Sequence, residues 1–161
     1  MIINNKKLQK ILLVDIEYYK KISGKYIVGE RNGKGKEYLL DTNTLIFEGE
    51  YLNGKRNGKG KQYYRGELIF EGEYLNGKIN GKVKEYYNGE IIFEGEWLNG
   101  KRWNGKVKEY NDNGGLMLEG GYLNGEINGK GKLYNNDKLY FEGEFLKGKC
   151  GMEKYIIPMV I

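Results

Sequence analysis

Aromatic and small residues alternate with charged ones in short runs along most of the chain. The stretch "FEGEYL", residues 47–52, is one such run, and "KGKQYY", residues 59–64, is another. Alternation with a period of two is the signature of β-strands with two unlike faces. Between the runs stand Asn-Gly, Arg-Gly and Asn-Asp pairs, which mark turns. The pattern predicts an all-β chain of short hairpins.

The runs repeat. "FEGEYLNGKRNGKGKQYY" at 47–64 returns as "FEGEYLNGKINGKVKEYY" at 70–87. Anchored on the central glycine, the copies fall at Gly24, Gly49, Gly72, Gly95, Gly120 and Gly143. A period of this length indicates an array of stacked units, with degraded units expected as caps at both ends. Gly24 opens a weaker copy, and the copy at Gly143 breaks off after "FEGEFLKGKCG".

Folding residues 47–64 about Lys55 and Arg56 sets Glu50 opposite Lys61, Leu52 opposite Lys59, Tyr51 opposite Gly60 and Phe47 opposite Tyr64. One face then carries Phe47, Gly49, Tyr51, Gly60, Gln62 and Tyr64. The other carries Glu48, Glu50, Leu52, Lys59, Lys61 and Tyr63. Opposite charges meet on the second face, where each cross-strand pair contributes about 0.2–1 kcal/mol. A two-residue link after Tyr64 would place Phe70 on the wrong face, so a three-residue loop with a left-handed glycine is expected. Trp103 reads as a residue added inside the turn of "NGKRWNGK". The outcome is one antiparallel meander of about eleven or twelve twisted strands.

These copies resemble the MORN (membrane occupation and recognition nexus) repeat, with its pattern YEGE(W/Y)xxGxxxGxGxxxY. The resemblance covers about residues 23 to 149, with departures at Leu118, Gly121, Val83 and Val107. It implies an elongated, single-layer sheet of hairpins, which agrees with the face sorting. The organisation expected is a cap segment at 1–22, a repeat array at 23–149 and an apolar tail at 150–161. In the cap, Leu8, Ile11 and Leu12 have helical spacing, with Lys6, Lys7 and Lys10 beside them. A short helix covering the first sheet edge is expected there; a basic membrane-surface helix and a partner-docking helix are the alternatives. The tail "MEKYIIPMVI" is expected to pack on the last hairpin, with Pro158 ending strand pairing.

Composition narrows the chemistry. The 161 residues are 39% hydrophobic and 14% aromatic, with 26 glycines, 15 tyrosines and no alanine. This is a folded chain with a thin, aromatic core. Histidine is absent, which removes the commonest general base. Cys150 is the single cysteine and has no imidazole to activate it. "GKRWNGKV", Gly100 to Val107, begins like a phosphate-binding loop but has Val107 where Ser or Thr is needed, and it sits within a hairpin. The pairs Glu48/Glu50, Glu71/Glu73 and Glu94/Glu96 each share a face, yet Lys61, Lys84 and Lys108 lie opposite and account for them as ion-pair ladders. No enzyme, cofactor or metal is expected.

Surface remains. The net charge of +5 is concentrated in residues 1–46, with nine basic and five acidic side chains. The column Tyr51, Tyr74, Trp97, Tyr122 and Phe145 is expected to be largely core, with its exposed fraction open to a partner. Around the turns, Lys55, Arg56, Lys78, Lys101, Arg102 and Trp103 offer cations and one further ring. The expected function is a non-catalytic scaffold that binds another protein or another copy of itself. The alternative is peripheral binding of acidic phospholipids. No nucleic acid is expected as a partner. No stretch reads as a secretory signal or a membrane span, so the expected location is the cytoplasm, including the cytoplasmic face of a membrane or the cytoskeleton.

Overall fold

The computed structural model describes residues 24–151. The expected N-terminal helix and the packing of the "MEKYIIPMVI" tail lie outside them. The described residues form one antiparallel sheet of 13 strands. These are β1 (Lys25–Gly29), β2 (Gly33–Leu39), β3 (Leu45–Leu52), β4 (Lys55–Tyr64), β5 (Glu67–Leu75), β6 (Lys78–Tyr87) and β7 (Glu90–Leu98). They continue as β8 (Lys101–Tyr110), β9 (Leu116–Leu123), β10 (Glu126–Ile127), β11 (Gly129–Asn135), β12 (Lys138–Leu146) and β13 (Lys149–Cys150). Each strand pairs with its neighbour in sequence. The exception is β10, a two-residue piece that pairs with β9 ahead of β11 and raises the count above twelve. With strands about 4.8 Å apart, the path extends roughly 50 Å.

The turns differ from the expected fold about Lys55 and Arg56. The reversal is at Asn53-Gly54, where φ is 53° and 74°, and Leu52 pairs with Lys55. Two successive positive φ values mark the two-residue turn whose twist matches the flanking strands, and Asn-Gly is its preferred sequence. Asn76-Gly77, Asn99-Gly100 and Asn124-Gly125 repeat it. The second Asn-Gly of each unit has another role. Gly49 pairs with Gly60, but Tyr51 pairs with Arg56, so Asn57, Gly58 and Lys59 bulge opposite Glu50. The register is displaced from the expected one by two residues at Phe47 and, beyond the bulge, by four at Tyr51 and Leu52. Even shifts preserve parity, so the two faces sort as anticipated.

The links between hairpins are also two-residue turns, at Arg65-Gly66 and Asn88-Gly89, in place of the expected three-residue loops. Parity is restored by a bulge. Tyr63 pairs with Leu68 while Gln62 pairs with Phe70, which leaves Ile69 as the extra residue. Trp103 lies in β8, not in the turn. It is the single extra residue of a smaller bulge, between the Gly95–Gly105 and Trp97–Arg102 pairs. At the N-terminal end, Gly29 faces Gly35 where the repeat spacing pointed to Gly24. The first hairpin therefore turns later than its sequence copies do.

The core lies on the aromatic face. Phe47, Phe93 and Phe141 are fully buried, and Tyr51, Tyr74, Val83, Val107 and Phe145 nearly so. Each such side chain contributes about 1.5–3 kcal/mol by leaving water. Each first aromatic packs edge-on against the column residue of the next unit: Phe47 with Tyr74 at 5.1 Å, Phe70 with Trp97 at 5.2 Å, and Phe93 with Tyr122 at 6.1 Å. Glycine makes room for the rings. A Cβ on Gly60 would lie 2.4 Å from Phe47 Cζ.

Candidate interaction surface

The charged face is built as a ladder. Lys36 pairs with Glu48 at 3.1 Å, Lys61 with Glu71 at 3.6 Å, Lys84 with Glu94 at 3.2 Å, Lys108 with Glu119 at 3.5 Å, and Lys132 with Glu142 at 3.8 Å. Every pair joins one unit to the next. Tyrosines complete it: Tyr63 donates to Glu48 at 2.7 Å, Tyr86 to Glu71 at 3.3 Å and Tyr134 to Glu119 at 2.9 Å. Trp103 breaks the series. Its added residue leaves Glu94 paired with Lys106 across the hairpin and carries Tyr110 onto Glu90 instead. The Tyr63 hydroxyl, then Lys36, holds the Glu48 carboxyl below its ordinary value. Burial, then the hydrogen bond to Glu48, pushes Tyr63 up to about 12.

The second glutamate of each "EGE" serves the bulge. Glu50 accepts the Lys59 amide at 3.2 Å, and Glu73 accepts the Lys82 amide at 3.1 Å. The carboxylates pass so close to Gly58 and Gly81 that a Cβ there would lie 2.0 and 2.1 Å from them. The bulge asparagines stitch neighbouring turns together. Asn57 Oδ1 accepts the Asn76 amide, Asn80 that of Asn99, and Asn104 that of Asn124.

Of the anticipated surface residues, Tyr51 and Tyr74 are buried, while Trp97 and Tyr122 are half-buried in the same aromatic face. Arg56 and Arg102 belong to strands and are committed to carboxylates. Arg56 Nη2 lies 2.7 Å from Glu37, and its guanidinium lies 4.2 Å from the centre of the Phe47 ring. Arg102 forks onto Glu85 at 2.8 and 2.7 Å. The half-buried Trp103 lies beside Gly125, in the turn of the next hairpin. Lys55 and Lys101 are exposed.

Sequence reasoning missed the feature beside those two lysines. Leu52, Leu75, Leu98, Leu123 and Leu146, the last residues before each turn, are 50, 51, 43, 50 and 69% exposed. Across the turns they pair with Lys55, Lys78, Lys101, Glu126 and Lys149. A line of leucines therefore runs along one rim of the sheet beside a line of cations, interrupted once by Glu126. The signal was present in the sequence, since a leucine precedes every "NG" or "KG" turn pair in the last five units.

Among the described residues no cluster of His, Cys, Asp and Glu could hold a metal ion, and no helix is long and apolar enough to cross a membrane. The family model that matches is the MORN repeat, over residues 47–66, 70–90, 93–103 and 119–138. No curated protein matches the chain. Two solved structures are similar in part. One is an S. aureus TarM mutant in complex with fondaparinux, alpha-GlcNAc-glycerol and UDP, at 12% identity and TM-score 0.38, over 81% of this chain and 24% of that one. The other is TarM, at 10% identity and TM-score 0.38, over 71% of this chain and 24% of that one. The chain thus spans about a quarter of the length of these structures, and likeness at this level carries no functional argument. The four matched stretches coincide with hairpins whose turns, bulges and ladders are described above: these hairpins are MORN repeats.

Proposed function

We propose that this protein is a non-catalytic scaffold that docks a partner protein along the leucine–lysine rim. The observation that carries the reading is the row of five exposed leucines, one per unit, each paired across its turn with a charged residue. Apolar side chains aligned on a surface are a recurring mark of interaction sites. MORN repeats generally act as scaffolds toward proteins or membrane lipids. The rim favours an acidic amphipathic helix as the docked segment. Successive leucines are two strands apart, roughly 9.6 Å, close to the roughly 10.5 Å rise of a helical heptad. One apolar residue per heptad would meet one leucine per hairpin, with acidic neighbours facing the lysines.

The second reading, an anionic membrane, draws on the same rim lysines. Against it, Arg56 and Arg102 are drawn into ion pairs on the other face, and the lysine ladder is neutralised by glutamate. The two readings part on salt and lipid. Co-sedimentation with vesicles, with and without anionic lipid, should leave the protein in the supernatant under the scaffold reading. Attachment to anionic vesicles that weakens steeply with salt would replace that reading with the lipid one.

A further inference from the structure

From the one unit that lacks its bulge-capping glutamate, we infer that this chain holds a binding site for a carboxylate side chain, formed by the Lys130 amide and the Lys106 ammonium beside Gly121. In the first two full hairpins, the second glutamate of "EGE" fills this position. Glu73 shows the arrangement: its carboxylate accepts the Lys82 amide at 3.1 Å on one side, and Lys59 is its cross-strand partner on the other. In the fourth hairpin Gly121 stands in place of that glutamate. Its bulge follows the same register, with Tyr122 paired to Ile127 near the turn and Glu119 paired to Lys132 beyond it. Lys130 is the counterpart of Lys59 and Lys82, and Lys106 is the cross-strand partner of Gly121.

The φ of Gly121 is not left-handed and does not itself demand glycine, although a Cβ there would stand 2.9 Å from the Asn128 carbonyl oxygen. What it removes is the carboxylate. The neighbouring acids have other ion-pair partners: Glu119 bonds Lys108 and Tyr134, and Glu94, which faces Lys106 across the hairpin, bonds Lys84. Glu144 faces Lys130 from β12, on the far side of β11. An open groove of about 1420 Å³ passes over the position, lined by Lys106, Gly120, Gly121, Gly129, Lys130 and Glu144 among others. Beside Gly129, at φ 78°, no atom comes within 4 Å of where a Cβ would stand, whereas at Gly58 and Gly81 a glutamate oxygen fills that space. A carboxylate delivered from outside finds there one backbone donor and one ammonium, the two groups that Glu73 meets internally. The ligand class is an acidic side chain of a polypeptide. Since no other full hairpin has glycine at this position, the site would fix the register of a segment lying on an otherwise repetitive surface.

The test follows the Lys130 amide in nitrogen–proton correlation spectra of the full chain. It is titrated with the capped tripeptide acetyl-Ala-Glu-Ala-amide and, in parallel, with its Gln analogue. The Glu peptide should shift the Lys130 amide saturably, the Gln peptide should not, and the Lys59 and Lys82 amides should stay in place. Gly121→Glu should move the Lys130 amide toward the Lys59 position without peptide and weaken peptide binding at least about tenfold, the scale of a charge-assisted hydrogen bond. A Cβ at 121 would meet the Asn128 carbonyl at 2.9 Å, so Gly121→Ala isolates that cost and should keep the binding. Lys106→Met, at an exposed position, should weaken binding severalfold with the fold intact. Equal response to the Gln peptide, equal shifts at Lys59 and Lys82, or unchanged affinity in both Gly121→Glu and Lys106→Met would overturn the site. These readouts do not involve the rim leucines, so the site and the rim reading can fail separately.

Discussion

Arg102 reaches from one hairpin into the one before it and closes a two-pronged ion pair on the buried carboxylate of Glu85, at 2.8 and 2.7 Å. Its Nη1 also lies 3.4 Å from Glu109 in its own hairpin. Arg56 does the same two periods earlier, with Glu37 behind it and Gln62 in its own strand. The intervening unit has Ile79 at this place, and the unit after Arg102 has Ile127, both packed among the core side chains. Arginine and isoleucine thus alternate along one column of the aromatic face.

Arg102→Ala should destabilise the protein by about 3–5 kcal/mol, because Glu85 is left buried without its partner. Chemical denaturation measures the loss. Arg102→Ile combined with Glu85→Gln copies the Gln62–Ile79 arrangement of the preceding unit and should cost clearly less than Arg102→Ile alone. Additive costs would show that the pair is not coupled.

Gly60→Ala should cost about 1–3 kcal/mol, the scale of overpacking, since its Cβ would stand 2.4 Å from the Phe47 ring. Gly66→Ala is the contrast. No atom comes within 4 Å of its Cβ position, so its cost arises from the left-handed φ of 85° alone. Pairing either change with Phe47→Leu separates the causes: the smaller side chain should relieve the first loss and leave the second.

The Glu48–Tyr63 bond predicts a pH dependence with a definite sign. The folded carboxyl sits below its ordinary 4.5, so its contribution is present above that value and is lost as pH falls through the lowered folded value. Tyr63→Phe removes the largest cause of the lowering. The variant should be less stable than the parent at neutral pH, and the gap should close in acid. On the alkaline side, Tyr51, Tyr63 and Tyr74 are raised from 10.0 to about 12, each chiefly by burial. Their contribution is complete below pH 10 and disappears as pH rises toward 12. Tyrosinate absorbance should rise together with unfolding across that window.

Neighbouring residues on opposite faces should behave differently. Tyr74→Ala removes a buried ring and should cost about 3–5 kcal/mol. Leu75→Ser, one residue on and half exposed, should cost less than about 1 kcal/mol. Similar losses from both, read by thermal unfolding, would show that the faces are misassigned.

Much of this was legible in the sequence because a period of two survives errors of two or four. The sorting of Phe47, Gly49 and Tyr51 from Glu48 and Glu50 held although the turn lies at Asn53-Gly54. Each unit contains "NG" twice, and pattern alone does not say which pair reverses the chain and which forms the bulge. For the same reason Arg56 looked like a turn residue and proved to be a strand residue bound to Glu37. The links were misjudged because a two-residue turn and a bulge at Ile69 together have the parity of a three-residue loop. The leucine rim was passed over because Leu52 sat in the charged set as one apolar exception. Its meaning is exposure, which depends on no neighbouring layer covering it.

The central claim is that the rim meets a protein, and the most direct measurement is contact mapping at the rim itself. A photo-crosslinking residue in place of Leu75 reads that surface, and the same residue in place of Lys61 reads the charged face away from it. Each protein is irradiated in an extract that retains native membranes, and the adducts are identified by mass spectrometry. The account predicts a discrete polypeptide adduct at position 75, lost when Leu52 and Leu98 are changed to Ser, and no matching adduct at position 61. Phospholipid adducts at position 75, or polypeptide adducts at position 61 alone, would contradict it.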